Sequence, residues 1–148
     1  MIEVRREPPD GPAARALWEE YMALTRERLG DDFEPTEEIF ATPEDLDVWL
    51  VLYENGEPVG CGGLRGDEIK RMFVTARARG RGHGRRLLGE LEAIAARAGH
   101  RRIRLLTTEA LVEARALYAS AGYAEAARLR IDDRTDLWLE KALRAASV

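Results

Sequence analysis

The chain has 148 residues, with 23 Lys or Arg against 27 Asp or Glu and a net charge of −4. That length supports one domain around one core. No apolar run approaches the roughly 18 residues of a membrane span, and a single cysteine, Cys61, excludes an internal disulfide and points to a reducing cytoplasm. Two histidines and that cysteine make no zinc ligand set, so no metal is expected.

Ile2–Arg6 alternates apolar and charged residues, which predicts a first strand rather than a signal peptide. Pro8-Pro9-Asp10-Gly11-Pro12 breaks it. Ala14, Leu17, Tyr21 and Leu24 then recur at helical spacing, predicting a helix over Pro12–Leu29 that Gly30 terminates. Thr36, Glu38, Ile39 and Phe40 suggest a short second helix ending before Pro43. Strands are expected over Asp47–Tyr53 and Pro58–Leu64. Between them Asn55-Gly56 supplies the two positive-φ positions of a type I′ hairpin. Gly60, Gly62 and Gly63 leave the second of these strands bare, for close helix packing or close approach of a ligand. Cys61 reads as a small core residue.

The next strand, Glu68–Val74, should place Glu68, Lys70, Met72 and Val74 on one face, with Ile69, Arg71 and Phe73 on the other. A helix over about 85–98 carries an apolar stripe of Leu87, Leu88, Leu91, Ile94, Ala95 and Ala98 and stops at Gly99. Arg101–Thr107 reads as a strand and Leu111–Ala121 as a helix ended by Gly122. Ala124–Arg130 and Thr135–Leu143 read as a final pair of strands, the last the weaker and edge-like. This order predicts a layered α/β sheet, with parallel pairing in the middle and hairpins on the N-terminal side.

Charge is unevenly spread. Asp31 to Asp47 holds eight acids and no base, whereas Lys70 to Arg104 holds eleven bases against Glu90 and Glu92. Both blocks fit solvated surface. They also fit a division of labour, with the basic block holding an anionic cofactor and the acidic block facing a cationic acceptor. Nucleic acid is not the expected partner, since the chain is acidic and its arginines cluster at one turn.

That turn runs from Arg79 through Gly80, Arg81, Gly82, His83 and Gly84 to Arg85, between a strand and a helix. Three glycines let main-chain N–H groups approach an oxyanion, and the helix start adds its own free N–H groups. It is neither a nucleotide P-loop, which needs Lys-Ser/Thr where Arg85-Arg86 stand, nor a dinucleotide fingerprint, which needs Gly at Arg85. Arg79-x-x-Gly82-x-Gly84 instead resembles the pyrophosphate motif Gln/Arg-x-x-Gly-x-Gly/Ala of the GNAT superfamily of N-acetyltransferases. Ala114-x-x-Leu117-Tyr118-x-x-x-Gly122-Tyr123 resembles a second GNAT segment, Ala-x-x-Leu-Tyr-x-x-x-Gly-Phe/Tyr. One departure is Leu111, which stands where many members carry Asn.

The resemblance implies a mixed, mostly antiparallel sheet of about seven strands. The fourth and fifth splay apart, about four helices flank the sheet, and one N-acetyltransferase domain spans 1–148. It implies acetyl-CoA as co-substrate, with the backbone of Met72, Phe73 and Val74 pairing with the pantetheine arm. Arg79, Gly80, Arg81, Gly82, His83, Gly84 and Arg85 would hold the pyrophosphate. Tyr118 would protonate the departing thiolate, and Glu68 would deprotonate the acceptor amine, with Glu109 or water as alternatives. Tyr21, Asp31, Asp32, Phe33, Glu34 and Trp138 would line the acceptor pocket, suited to a small cationic or peptide amine. A non-catalytic acyl-CoA-binding module is the competing expectation, and an exposed edge strand leaves a homodimer open.

Overall fold

The computed structural model describes residues 1–31, 45–131 and 134–144. The expected second helix lies outside the described residues, as do Asp32, Phe33 and Glu34. Seven strands form one sheet: β1 (Ile2–Arg6), β2 (Val48–Glu54), β3 (Glu57–Arg65), β4 (Glu68–Val74), β5 (Arg102–Thr108), β6 (Ala124–Ile131) and β7 (Arg134–Ala142). Three helices are described, α1 (Pro12–Leu29), α2 (His83–Arg97) and α3 (Val112–Ser120). The spatial order is β1-β2-β3-β4-β5-β7-β6, and every pairing is antiparallel except β4 with β5. The expected mixed, mostly antiparallel sheet of seven strands is therefore observed.

Local signals set most of these elements. Pro12 opens α1, where its missing N–H costs nothing, and Gly30 closes it at φ 105°. Asn55 and Gly56 sit at φ 52° and 85°, so the β2–β3 turn has the predicted positive-φ pair. Residues of β2 alternate between two cores. Val48, Leu50 and Leu52 face α2, packing with Leu87, Leu88 and Leu91. Trp49 and Val51 face α1, packing with Ala14, Leu17, Cys61 and Phe73. Cys61 is thus a core residue, and burial pushes its thiol pKa up.

The bare strand β3 serves helix packing. A Cβ on Gly60 would lie 3.1 Å from Leu87, and one on Gly62 would lie 2.9 Å from the Met72 sulfur and 3.1 Å from Leu91. Both glycines let α2 settle onto the sheet.

Two expectations are corrected. β7 is interior, between β5 and β6, because it buries Leu137 and Leu139; the exposed edge at this end is β6. The parallel crossover therefore occurs once, at β4–α2–β5, and β7 separates β5 from β6.

The face assignment in β4 also changes. Ile69 packs on the α2 side, but Phe73, four residues on, packs on the α1 side. An even spacing should keep them together. A bulge breaks the parity: Cys61 pairs with Phe73 and Gly63 with Lys70, so β4 carries one extra residue, and Arg71 adopts φ 54°. Met72 and Val74 consequently join Ile69 on the α2 side and do not share a face with Glu68.

Gly63 has main chain where a side chain would begin. A Cβ there would sit 2.8 Å from the Val48 carbonyl oxygen and 3.0 Å from the Trp49 ring. Gly63→Ala is expected to lower stability by about 1–3 kcal/mol in urea unfolding; an unchanged midpoint would contradict this packing.

Candidate active site

β4 and β5 pair only at Glu68–Arg104 and Ile69–Leu105. Beyond that point the strands part, and a cleft of about 510 Å³ opens between them. Its lining includes Arg71 to Val74 of β4, Leu105 to Thr107 of β5, Ala78 to Gly80 and Gly82 to Arg85 of the turn, and Leu111, Glu113, Ala114 and Ala116 to Tyr118 around α3; Arg81 is not among the lining residues. Tyr21 and Leu24 of α1 close the far side. Met72, Phe73 and Val74 thus present strand backbone along a wall that β5 no longer covers.

The glycine turn forms one end of the cleft. Ala76–Ala78 makes a single 3-10 turn after Thr75, and the chain then passes Gly80 and Gly82, both at φ 81°. Only glycine takes that conformation without strain. A Cβ on Gly82 would meet nothing within 4 Å, so the space beside this main chain is open. Gly82 caps α2, and the first helical bond runs from Arg86 N–H to the Gly82 carbonyl. The N–H groups of His83, Gly84 and Arg85 precede that bond and add the positive end of the helix dipole. The main chain of this turn could hold an anionic group.

Gly84 has a different reason. A Cβ there would lie 2.6 Å from Leu117, so its bareness seats α2 against α3 rather than admitting a ligand. The turn's arginines are largely engaged within the protein. Arg77 pairs with Glu20 at 3.3 Å, and the Arg79 side chain donates to the Val74 carbonyl at 3.2 Å. Arg85 donates to the Ser120 carbonyl at the end of α3 at 2.8 Å. Arg81 pairs with Glu54, which also bonds His83 Nε2 at 2.7 Å. These two partners hold the Glu54 carboxyl below its ordinary pKa, Arg81 foremost.

Tyr118 lines the same cleft and is 5% exposed. Among the described residues its hydroxyl has no hydrogen-bond partner, and burial pushes its pKa up, so it stays protonated. The second motif explains its placement. Gly122, at φ 97°, turns the chain back so that Tyr123 N–H bonds the Tyr118 carbonyl at 3.0 Å. The two rings meet edge-on at 5.9 Å, and the Tyr123 hydroxyl donates to Glu92 at 2.8 Å. The ring of Tyr118 is therefore fixed from behind.

The acidic candidates lie elsewhere. Glu68 sits where the strands part, outside the residues lining the cleft, 3.1 Å from Lys70 Nζ and 2.8 Å from Arg104. Glu109 is half-exposed past β5, 4.0 Å from Arg128. Tyr21 and Trp138 meet around Leu106 with Trp18, while Asp31 is exposed beyond α1. Leu111 is buried in the lining and gives α3 no side-chain cap. Among the described residues no group of side chains is arranged to hold a metal, and no helix is long and apolar enough to cross a membrane.

Sequence reasoning missed three residues. Glu54 holds the turn from 27 positions away. Arg28 of α1 grips Glu113 of α3 through two bonds of 2.6 and 2.9 Å. Arg71 is swung into the cleft by the bulge, its guanidinium 4.1 Å over the Trp18 ring. None carries a local signal, since each depends on a partner distant in the chain or on the shifted strand register.

Comparison with known proteins agrees with this geometry. The acetyltransferase (GNAT) family model matches residues 13–123. An IAA acetyltransferase of Azospirillum brasilense is 40% identical over 83 residues, which cover 52% of this chain and 54% of that protein. The match thus spans about half the length of that relative. A Klebsiella pneumoniae structure assigned as an acyl-CoA N-acyltransferase is 27% identical, with a TM-score of 0.77 over 97% of this chain and 99% of the other. A Bacillus anthracis structure assigned as a streptothricin acetyltransferase, solved with acetyl coenzyme A, shares the fold at 16% identity. Its TM-score is 0.64, over 77% of this chain and 71% of that one.

Arg28 lowers the Glu113 pKa from 4.5 to about 2. A depressed carboxylate favours the folded state above its unfolded value, and that contribution fades as pH falls from 4.5 toward 2. Glu113→Gln is expected to flatten the pH dependence of urea midpoints across this window, and an unchanged slope would contradict the pairing.

Proposed function

The chain belongs to the acetyltransferase (GNAT) family, and from that premise we propose that it transfers the acetyl group of acetyl-CoA directly to an amine. The observation carrying this reading is the parting of β4 and β5 into a cleft that has an anion-binding turn at one end and a protonated tyrosine within. Strand backbone at Met72 to Val74 suits an extended amide-bearing arm, as an added strand would be held. The main chain from Gly80 to Arg85, with Arg79 at its start, suits the diphosphate.

In the proposed reaction the amine nitrogen attacks the thioester carbonyl carbon, the C–S bond breaks, and the sulfur leaves with the bonding pair. Tyr118 gives its phenolic proton to that thiolate and recovers one from solvent. Burial of the hydroxyl keeps the proton in place until the thiolate forms. The amine loses a proton on attack. Glu68 is paired with Lys70 and Arg104, and neither it nor Glu109 lines the cleft, so the geometry favours water leading to solvent over either carboxylate. The free, buried Cys61 suits a cytoplasmic setting.

Leu111 favours one second reading, a module that binds acyl-CoA without transferring its acyl group. The hydrophobic side chain cannot offer the arm a hydrogen bond from that position.

Thiol release from acetyl-CoA with an amine panel, beside calorimetry, separates the readings. Tyr118→Phe is expected to lower kcat about a hundredfold while the acetyl-CoA Kd stays within about twofold; unchanged kcat would remove the acid role. Gly82→Val, straining a residue at φ 81°, is expected to weaken acetyl-CoA binding at least about tenfold. Retained affinity would contradict the turn assignment. Glu68→Gln should leave the pH–rate profile in place, and an alkaline shift would assign the base to Glu68.

A further inference from the structure

Most polar side chains that line the cleft have protein partners. Arg79, His83, Arg85 and Glu113 are each bonded within the chain, and Tyr21 and Arg71 are engaged as well. Among the described residues, the hydroxyls of Tyr118 and Thr107 line the cleft with no hydrogen-bond partner. Thr107 is 5% exposed. The next residue, Thr108, faces the opposite side of β5 and donates to the Thr135 carbonyl at 3.2 Å. A buried hydroxyl that bonds nothing in its own chain is uncommon and is open to a partner from outside it.

The register of β5 fixes where this hydroxyl lies. β5 pairs with β7 without a break from Arg102 to Thr108, so alternation puts Thr107 on the face of Ile103 and Leu105. Tyr118 packs on that face too. β4 and β5 run parallel and last pair at Ile69–Leu105. Thr107 follows Leu105 by two residues, about 6–7 Å along the strand. It is therefore level with the inner end of the open Met72–Val74 edge, whereas the glycine turn follows Val74 at the outer end. An arm running inward from the turn along that edge brings its thioester end to the level of Thr107.

Resting on the acetyltransferase reading, we infer that Thr107 is a further catalytic residue, its hydroxyl donating a hydrogen bond to the thioester carbonyl oxygen and to the oxyanion that forms there. Attack by the amine nitrogen moves the C=O π pair onto that oxygen, and the amine proton passes to water. Thr107 keeps its own proton and stabilises the new charge through the bond. When the pair returns, the C–S bond breaks, and the sulfur leaves with its electrons and takes the Tyr118 proton. Negative charge thus develops at two atoms, oxygen and sulfur. The cleft has two hydroxyls without protein partners, on one face, to meet them.

The first test needs no acceptor. Acetyl-CoA is bound to the full chain, and the carbonyl stretch of the bound thioester is read by isotope-edited infrared difference spectroscopy. A hydrogen bond to this oxygen lowers the frequency. Thr107→Val keeps the β-branched shape and loses the donor, so it is expected to raise the frequency, while Thr107→Ser should hold the wild-type value. CoA, which lacks the carbonyl, should bind both variants within about twofold of wild type. With amines that accept the acetyl group, Thr107→Val is expected to lower kcat about a hundredfold, and Thr107→Ser should recover most of it. Thr107→Ala, read in the same way, replaces the valine variant if that does not fold. An unmoved carbonyl stretch or an unchanged kcat on loss of the hydroxyl would overturn the inference while leaving acetyl-CoA binding intact. Loss of CoA affinity in step with kcat would also overturn it, by assigning the hydroxyl to the arm. If calorimetry detects no acetyl-CoA binding to the wild type, it is the acetyltransferase reading itself that fails.

Discussion

β4 loses its neighbour after Ile69, and the site is built on that loss. Peptide N–H and C=O groups are obligatory hydrogen-bonding groups, so a strand edge opened inside a domain demands a partner. Two register positions join β4 to β5 before the strands separate, and α2 and α3 close the widening gap from one face while α1 closes it from the other. The result is a cleft with main-chain polarity along β4 and at the turn, charged side chains such as Arg71 and Glu113, and apolar side chains over much of the rest. A ligand with an extended, amide-bearing arm answers both demands at once.

The two ends of this cleft are mechanically tied. Leu117 precedes Tyr118 on α3 and packs over Gly84 of the glycine turn, where a Cβ would lie 2.6 Å from its side chain. Arg85 bridges the same two helices by bonding the carbonyl at the end of α3. Anything that orders the turn therefore sets the position of Tyr118, whose ring is backed by Tyr123, itself held through Glu92, which Lys141 pairs with. The arginines around the turn act mainly as struts. Arg77, Arg79, Arg81 and Arg85 each have a protein partner, so on the proposed reading anion binding would fall chiefly to main-chain N–H groups and the helix dipole.

Much of this was legible wherever the signal is local. Pro12 and Gly30 bracket α1 at the positions the helix rules require, Asn55-Gly56 supplies its turn, and the leucine stripe of α2 marks the buried face. The two motifs located the turn and Tyr118 because fixed spacings carry backbone demands: positive φ at Gly82 and at Gly122. What could not be read depends on distant pairing. Nothing in Glu68–Val74 announces an extra residue, because the bulge is decided by β3 across the ladder, and it reversed the faces assigned to Met72 and Phe73. The insertion of β7 between β5 and β6 follows from burial of Leu137 and Leu139, which sequence alternation suggested only weakly. Glu54, Arg28 and Arg71 gain their roles from partners brought together by the fold.

The central claim is that the open edge of β4 and the main chain of the glycine turn are completed together by an acyl-CoA. Amide hydrogen exchange of the protein with and without CoA, resolved for segments 70–75 and 80–86, tests it most directly. Protection slowing exchange by at least about tenfold in both segments at once is the predicted result. Binding of CoA with exchange unchanged in both, or with protection confined to another part of the sheet, would contradict it.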